Sequence, residues 1–326
     1  MNSLPLEITA QKKHELLSVI QSDFPIVSRP FKVLADSLGL TERKVMSFII
    51  FLKEEGIIRT FGPVFEASRL GYVSTLIAAK VDTERIADIS VVMLDINEIT
   101  HNYLRDNEYN LWFTIIARNS EIAGDIINRI KKLSGVEKVL NLPARKVFKI
   151  DAVWAGGKSK NTRVDNKTGA PPLNESEKSL VGLLQNDFPV VKNPFRVLSD
   201  SIQRDESEII DTINLWINNG IIRRFGARLN HKKIGYTFNT LAAWQGKDLE
   251  LWGKKFAELN QVSHCYLREP HEDWPYELYT MIHAKSAPEA DIILETMSGI
   301  AHRSKMITLN TLYELKKTSM KYFMED

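Results

Sequence analysis

The chain has 326 residues, of which 44% are hydrophobic and 26% charged, and this composition excludes a fibrous or mainly disordered protein. Its 43 Lys and Arg residues against 41 Asp and Glu residues give a net charge of +2, which does not favour nucleic-acid binding as the main role. A single cysteine, no secretory pattern near the N-terminus and no apolar run of about 20 residues predict a cytoplasmic protein without an intramolecular disulfide.

Two long segments of the chain repeat each other. The segment LLSVIQSDFPIVSRPFKVLADSL, from Leu16, matches LVGLLQNDFPVVKNPFRVLSDSI, from Leu180. At the same offset GIIRTFG, from Gly56, matches GIIRRFG, from Gly220. Because the matches are long and collinear, they indicate two copies of one domain arrangement rather than a solenoid of short repeats.

The first part of each copy is helical. In FKVLADSLGLTERKVMSFIIFLKEEGIIRTFG, apolar residues recur at helical spacing, Gly39 ends one helix and Thr41 can cap the next. A strand is predicted from Ile57. Helix, short turn, helix and strand in this order predict a winged helix-turn-helix domain, which we place at residues 1–62 and 178–226.

The second part of each copy alternates strands and helices in the order βαββαβ, which predicts a ferredoxin-like domain at residues 63–154 and 227–326. A polar stretch at residues 155–177 is predicted to be a flexible linker. The fold class is therefore α+β, and the two halves are expected to pair because a lone sheet would expose a face or an edge. The predicted strands are Tyr72–Val81, Glu98–Arg105, Leu111–Ala117, Val136–Leu142, Thr237–Trp244, Val262–Arg268, Tyr276–Ala284 and Lys305–Thr311. The predicted helices in the first copy are Thr83–Leu94 and Glu121–Leu133.

A winged helix followed by a ferredoxin-like domain resembles the Lrp/AsnC regulators, which bind DNA with the first domain and a small effector with the second. The would-be recognition helix of the second copy, residues 203–219, carries one arginine against four acidic residues. The corresponding segment of the first copy, residues 39–55, has no net charge. Because DNA phosphates favour Lys and Arg, we interpret both helices as a retained scaffold.

The second strand of each ferredoxin-like part carries the most informative residues. Every second residue of SHCYLRE is large and polar: His264, Tyr266 and Arg268. The first copy repeats this in THNYLRD: His101, Tyr103 and Arg105. Alternate residues of a strand share one face, so each set forms either a solvated face or a ligand site. The nearby aromatic segments EYNLWF and EDWPYELY favour a flat anionic ligand.

A second basic cluster follows the predicted recognition helices. GIIRRFG contributes Arg223 and Arg224, GIIRTFG contributes Arg59, and RLNHKKIGY contains Arg228 and His231. Arginine forks match carboxylates, so these arginines predict either carboxylate clamps or a solvated wing turn. Two further histidines lie outside these motifs, and we interpret them as structural or surface residues: His283 and His302.

The combination GIIRRFG…LNH…GY…SHCYLR…DWPYELYTMIH resembles the siroheme decarboxylases, Lrp/AsnC-like enzymes of the alternative haem and haem d1 routes. The first copy, with GIIRTFG…THNYLRD…YNLWFTI, resembles the partner subunit of that family, so two subunits look fused in one chain. The resemblance implies a carboxy-lyase that removes CO2 from the C12 and C18 acetate groups of siroheme to give 12,18-didecarboxysiroheme. The alternatives are a DNA-binding regulator of the Lrp/AsnC type and a non-catalytic haem or siroheme sensor.

The resemblance and the chemistry together suggest roles for individual residues. The expected catalytic residues are His264 as the acid, Tyr266 as its orienter, His231 as a second acid or an axial ligand of the iron, and His101 in a lesser, pseudo-equivalent site. The expected carboxylate clamps are Arg223, Arg224, Arg268, Arg59 and Arg105. Aromatic residues expected to line the substrate are Tyr103, Trp112, Trp274 and Tyr276. No protein-bound metal and no further cofactor are implied, because the iron arrives with siroheme.

Overall fold

The computed structural model describes residues 8–150, Trp154 and residues 172–324. Most of the predicted linker, residues 155–171, lies outside the described residues. The last three residues of the predicted linker, 175–177, form the first turn of a helix.

Each half of the chain contains five α-helices and five strands among the described residues. The first half has α1 (Ala10–Ser22), α2 (Pro30–Leu38), α3 (Glu42–Glu54), β1 (Ile58–Phe65), β2 (Val73–Val81), α4 (Ile86–Leu94), β3 (Ile99–Arg105), β4 (Leu111–Ala117), α5 (Ser120–Lys131) and β5 (Val136–Ile150). The second half has α6 (Glu175–Leu184), α7 (Pro194–Ile202), α8 (Glu206–Asn218), β6 (Ile222–Leu229), β7 (Phe238–Trp244), α9 (Leu249–Glu258), β8 (Val262–Arg268), β9 (Leu278–Ala284), α10 (Ala287–Ile300) and β10 (Met306–Lys317).

The chain divides into two compact units, and each unit contains parts of both halves. The helical unit comprises the described residues of Met1–Leu70, Val153–Gly235 and Lys321–Asp326. The barrel unit comprises those of Gly71–Ala152 and Tyr236–Met320. The predicted domain boundaries after residues 62 and 226 fall inside β1 and β6.

Helix capping in the helical unit follows the residues that the sequence offers. Gly39 ends α2 at φ +59°, and the Thr41 side chain accepts a hydrogen bond from the Lys44 amide at the start of α3. In the second half the non-glycine residue Gln203 takes the same left-handed conformation at the end of α7. The two helix-turn-helix motifs therefore have the same local shape despite different capping residues.

The helical unit is joined by one strand pair and one aromatic core. Strands β1 and β6 run antiparallel, with Gly62 opposite Gly226. Phenylalanine rings from both halves pack beside this pair at centroid distances of 4.9–6.5 Å: Phe24, Phe31, Phe61, Phe188, Phe195 and Phe225. Aromatic packing of this kind stabilises the pairing of the two halves within the unit.

The barrel unit is a closed ring of eight antiparallel strands in the order β10-β3-β4-β2-β5-β8-β9-β7. Strand β5 pairs with β2 up to Pro143 and then with β8 from Ala144. Strand β10 likewise pairs first with β7 and then, from Thr311, with β3. The two halves therefore meet at two seams, β5–β8 and β3–β10, and the pairing expected from the sequence is seen at both.

Three apolar cores hold the barrel unit together. Helices α4 and α5 cover one face of the first half's sheet, and α9 and α10 cover the equivalent face in the second half. A third cluster of both halves, including Trp112 and Tyr279, fills the faces that the helices leave uncovered. In the described part of the chain, no helix is long and apolar enough to cross a bilayer.

Candidate functional site

Strand β8 places the three polar residues of SHCYLRE in one row. The rings of His264 and Tyr266 are stacked, with centroids 6.2 Å apart and planes 15° from parallel. The guanidinium carbon of Arg268 lies 4.7 Å from the Tyr266 ring centroid, within cation–π range. The three side chains therefore lie on one face of β8, as the alternation along the strand predicts.

Strand β3 repeats this row in the first half. His101 and Tyr103 have ring centroids 6.3 Å apart, and the Arg105 guanidinium lies 5.3 Å from the Tyr103 ring. In both rows the histidine and tyrosine are half-buried, whereas the arginine is buried. The duplication has therefore kept the geometry as well as the residue types.

The two arginines reach across the seams between the halves. Nη1 of Arg268 donates to the Leu142 carbonyl of β5 at 2.8 Å, and Nη1 of Arg105 donates to the Leu309 carbonyl of β10 at 2.7 Å. Arg268 is 9% exposed and Arg105 is 3% exposed. Burial lowers the pKa of both guanidinium groups, that of Arg105 to about 10. Within the described residues, Nε of each arginine has no hydrogen-bond partner.

A β-bulge sits beside each histidine. The register shifts between Val262 and His264 in β8, and the same shift precedes His101 in β3. The bulge brings adjacent side chains together, so that Ser263 Oγ lies 2.8 Å from His264 Nδ1 and Thr100 Oγ1 lies 3.0 Å from His101 Nδ1. Bulges commonly re-aim side chains near functional sites, and here each one gives the imidazole a hydroxyl partner.

His283, which the sequence indicates is a structural or surface residue, is buried and hydrogen-bonded to the residue beside His264. His283 on β9 is 8% exposed, and its Nε2 lies 2.9 Å from Ser263 Oγ. Its Nδ1 is hydrogen-bonded to Asn239 Oδ1 on β7. Sequence analysis missed this trio, although alternation along β9 places His283 on the same face as Tyr279 and Met281.

The predicted aromatic walls form a packed cluster. Trp112, Trp274 and Tyr276 are all buried, and the two indole centroids lie 5.5 Å apart. Trp274 Nε1 donates to the hydroxyl of Tyr279 at 2.7 Å, and that hydroxyl donates to the Tyr276 carbonyl at 3.0 Å. Burial raises the pKa of Tyr279. In this structure the aromatic residues support the rows from within the barrel core.

The helical unit gathers the other predicted arginines around the wing strands. Arg223 forms an ion pair with Glu66, with Nη2 and Oε2 2.5 Å apart. Arg224 donates to the Gln21 carbonyl at 2.9 Å, and Arg59 is exposed. Burial, followed by the positive charges of Arg224 and Arg59, lowers the pKa of Arg228. Arg59, Arg224 and Arg228 therefore form a cationic cluster, which we call the wing cluster.

His231 occupies a buried position in the helical unit. It is 5% exposed and begins a short 3-10 helix, His231–Ile234. Its ring lies against the indole of Trp154, with centroids 5.9 Å apart and planes 30° from parallel. The structure thus gives His231 an aromatic neighbour, while its assignment as an acid or iron ligand stays a prediction.

Known proteins match this chain over both of its halves. The profile of a siroheme decarboxylase NirDL-like helix-turn-helix domain matches residues 13–59 and 177–223, and that of an AsnC-like ligand-binding domain matches residues 69–149 and 233–316. The siroheme decarboxylase of Hydrogenobacter thermophilus is 33% identical over 321 residues, which cover 96% of this chain and 95% of the relative. The chain belongs to the siroheme decarboxylase family.

Siroheme decarboxylases of two architectures are similar to the chain. A solved NirDL structure, in complex with an iron-uroporphyrin III analogue, has 30% identity and a TM-score of 0.75 and covers 96% of this chain and 95% of its own. The alpha subunit of the Nitratidesulfovibrio vulgaris siroheme decarboxylase is 43% identical over 136 residues, 41% of this chain and 76% of that subunit. The resemblance found from the motifs is therefore confirmed, as is the arrangement of two subunit-like halves in one chain.

Proposed function

We propose that this protein is a siroheme decarboxylase that removes the C12 and C18 acetate carboxyl groups as CO2 and yields 12,18-didecarboxysiroheme for haem or haem d1 synthesis. The observation that carries the proposal is the full-length similarity to siroheme decarboxylases, which includes a structure with a bound iron tetrapyrrole analogue. The paired histidine rows of the barrel unit supply groups suited to this chemistry.

Each decarboxylation needs one proton and a place for one electron pair. The bond between the acetate methylene carbon and its carboxylate breaks, CO2 leaves, and the electron pair remains on the methylene carbon, where the macrocycle disperses it. A proton delivered to that carbon gives a methyl group. A histidine can hold and release such a proton near neutral pH, which makes an imidazole the natural general acid.

In the second half, we assign the acid role to His264. It is half-buried, is stacked on Tyr266 and has a hydroxyl partner at Nδ1. These contacts fix the ring plane, and a general acid must be held in a definite direction towards the carbon that it protonates. His101 and Tyr103 have the same geometry in the first half, and we assign them a lesser, pseudo-equivalent site.

The buried arginines are suited to anion binding because the fold leaves them incompletely satisfied. Nε of Arg105 and of Arg268 has no hydrogen-bond partner among the described residues, and a buried unsatisfied donor costs free energy. A substrate carboxylate would supply the missing acceptor and the missing negative charge. The proposal therefore keeps both arginines as carboxylate binders, although each also donates to a main-chain carbonyl.

The wing cluster suits a polycarboxylate. Three guanidinium groups lie on the paired strands β1 and β6, and burial, followed by the positive charges of Arg224 and Arg59, lowers the pKa of Arg228. Like charges held together are costly, and a ligand with several carboxylates would relieve that cost. We therefore propose that Arg59, Arg224 and Arg228 are carboxylate binders within the helical unit, and that Arg223, already paired with Glu66, contributes less.

The test is an anaerobic incubation of the protein with siroheme and no added cofactor, followed by mass spectrometry of the tetrapyrrole. We expect a product lighter by two molecules of CO2. His264→Ala should still bind siroheme, measured by its absorption spectrum, and should slow CO2 release by roughly a hundredfold or more. The control is His302→Asn, an exposed position, which should keep wild-type turnover.

Other outcomes identify the alternative functions. Siroheme bound without CO2 release would identify a sensor or carrier. Retarded migration of duplex DNA at moderate salt, without tetrapyrrole, would identify a regulator. Helix α8 argues against DNA binding, because Glu206, Glu208 and Asp211 give this helix a negative charge. Unchanged turnover in His264→Ala would refute the assignment of the acid.

A further inference from the structure

A chain of hydrogen bonds lies behind His264 and includes groups to which the proposed reaction gives no role. Starting from His264 Nδ1, it runs through Ser263 Oγ at 2.8 Å to His283 Nε2 at 2.9 Å, and His283 Nδ1 is bonded to Asn239 Oδ1. The chain connects three strands, β8, β9 and β7. All of its members are buried or half-buried, so this arrangement is not a chance surface contact.

With both imidazoles neutral, the hydrogen bonds of this chain have one consistent direction of donation. The amide oxygen of Asn239 accepts, so Nδ1 of His283 carries a hydrogen, and Nε2 of the neutral ring is an acceptor. The Ser263 hydroxyl donates to that Nε2, since its other acceptor, the Met281 carbonyl, is farther away at 3.4 Å. Ser263 Oγ then accepts from Nδ1–H of His264. The proton that His264 can gain and lose is therefore the one on Nε2.

The first half lacks the second imidazole. In the register of the strands, Asn239 is opposite His283, and Ser74 is opposite Ile116 in the equivalent place. The hydroxyl of Thr100 still lies 3.0 Å from His101 Nδ1, but the position behind it is occupied by an aliphatic side chain. A threonine hydroxyl with no such acceptor behind it can turn to donate or to accept, so it does not select one form of His101.

We infer that Ser263 and His283 are positioning residues that hold His264 in its Nδ1–H form, so that Nε2 delivers the proton to the substrate carbon. The inference rests on the proposed acid role of His264. Neither residue transfers a proton to the substrate, and no further reactant is needed. The second half therefore holds its acid in one tautomer through a second imidazole that the first half lacks.

The kinetic test uses three variants of the hydrogen-bond chain and one control variant. His283→Ile copies the first half, and Ser263→Ala removes the hydroxyl that joins the two imidazoles; each should lower kcat for CO2 release on the order of tenfold to a hundredfold, with KM changed less than about twofold. Ser263→Thr should restore most of the rate, because Thr100 makes the same contact in the first half. His302→Asn, an exposed histidine, is the matched control and should have wild-type kcat.

A spectroscopic test does not depend on turnover. In protein labelled with ¹⁵N-histidine, long-range ¹H–¹⁵N NMR spectra distinguish the two neutral tautomers, and the resonance missing in His264→Ala identifies His264. We expect the Nδ1–H form in the wild type and a mixture containing the Nε2–H form in Ser263→Ala and His283→Ile. An Nε2–H form of His264 in the wild-type protein would overturn the inference, whatever the variants of Ser263 and His283 do.

The failure of this inference is distinguishable from the failure of the proposed function. If the wild type released no CO2, or if His264→Ala were fully active, the proposed function or its acid would be wrong. If the wild type were active and His264→Ala were not, while Ser263→Ala and His283→Ile kept wild-type kcat, only the positioning role would be refuted. If Ser263→Ala lost activity and Ser263→Thr did not regain it, the result would count against the role of the hydroxyl that joins His264 and His283.

Discussion

Arg105 shows how strongly a single residue can act against the stability of this fold. It is a buried cation whose Nε has no partner among the described residues, and burial lowers its pKa from the usual arginine value to about 10. At about 1.4 kcal/mol per pKa unit, that shift corresponds to roughly 3 kcal/mol against the charged form. Because the pKa is lowered, the cost is present in full below about pH 10 and declines only as the pH rises above it.

Replacing this cation should therefore cost the substrate-free protein little stability. Arg105→Met removes the charge cost of roughly 3 kcal/mol, but it also removes two hydrogen bonds and one cation–π contact worth about 1 kcal/mol each. The net expectation is a free energy of unfolding within about 1 kcal/mol of wild type, measured by urea denaturation, together with weaker siroheme binding. The control is Arg303→Met, at an ion pair that is 74% exposed on the arginine side, which should change stability by less than about 0.5 kcal/mol.

Two results would contradict this account of Arg105. A clear loss of stability in Arg105→Met would mean that the bonds to the Leu309 carbonyl and the Thr311 hydroxyl outweigh the cost of the buried charge. Unchanged siroheme affinity would mean that the arginine is not retained for carboxylate binding. The charge itself was visible in the sequence, but its burial was not, because the seam that covers it joins strands from different halves.

At the scale of elements, each wing strand packs on a helix of the other half. Gly226 of β6 lies against the end of α1, where an added Cβ would come within 2.1 Å of the Ile20 carbonyl oxygen. Gly62 of β1 lies near α6, but its added Cβ would be 3.4 Å from the Leu184 carbonyl oxygen. Both glycines have strongly positive φ, +154° and +147°, which L-residues rarely adopt.

Alanine at these two glycines should therefore have unequal effects. Gly62→Ala introduces backbone strain alone and should lower the free energy of unfolding by about 1–3 kcal/mol. Gly226→Ala adds a main-chain clash that no side-chain rotation can relieve, so the loss should be larger by about 1–3 kcal/mol. The measurement is thermal unfolding followed by circular dichroism. Equal losses for both variants would show that α1 moves away from β6 without appreciable cost.

The sequence predicted element types well and predicted two strand lengths badly. Strands β4 and β8 have their predicted limits, and most of the others differ by one or two residues. Strands β5 and β10 continue to Ile150 and Lys317, whereas the predictions ended at Leu142 and Thr311. The extra residues pair across the seams with β8 and β3, and such pairing depends on the register of the other half, which a local pattern of apolar residues does not encode.

The sequence predicted only part of the site, because the rest depends on how the strands pair. The row of His264, Tyr266 and Arg268 follows from alternation along one strand, and a single strand segment contains all the information needed. The contact of Ser263 with His264 depends on a bulge, and that of Ser263 with His283 depends on pairing between β8 and β9. These contacts involve partners on different elements, so they become visible only once the sheet is assembled.

At the scale of the whole molecule, neither unit is built from one half. Strand β6 from the second half completes the sheet of the helical unit, and both seams of the barrel unit join strands from different halves. Some relatives are described as separate alpha and beta subunits, which are similar to parts of this chain. The covalent connection through residues 155–171 is therefore expected to be dispensable for assembly.

This expectation can be tested by expressing residues 1–154 and 172–326 as two polypeptides in one cell. A tag on the first polypeptide should recover the second in a 1:1 complex, measured by size-exclusion chromatography with light scattering. The first polypeptide expressed alone should self-associate or aggregate, since its strands β3 and β5 lose their partners. Two independent, well-folded monomers would contradict the role of the seams.

The ring of the barrel unit has a consequence for the lifetime of the protein in a crowded cell. Among the described residues, each of its eight strands has a hydrogen-bonded neighbour on both sides. A growing fibril recruits chains by adding a strand to an unsatisfied backbone. Strands β5 and β10 change partner part-way along their length, so each part of these two strands is paired on one side, and opening of a seam would lengthen the unpaired edge. The resistance of this unit to fibril seeding should therefore fall with how often β5 parts from β8 or β3 from β10.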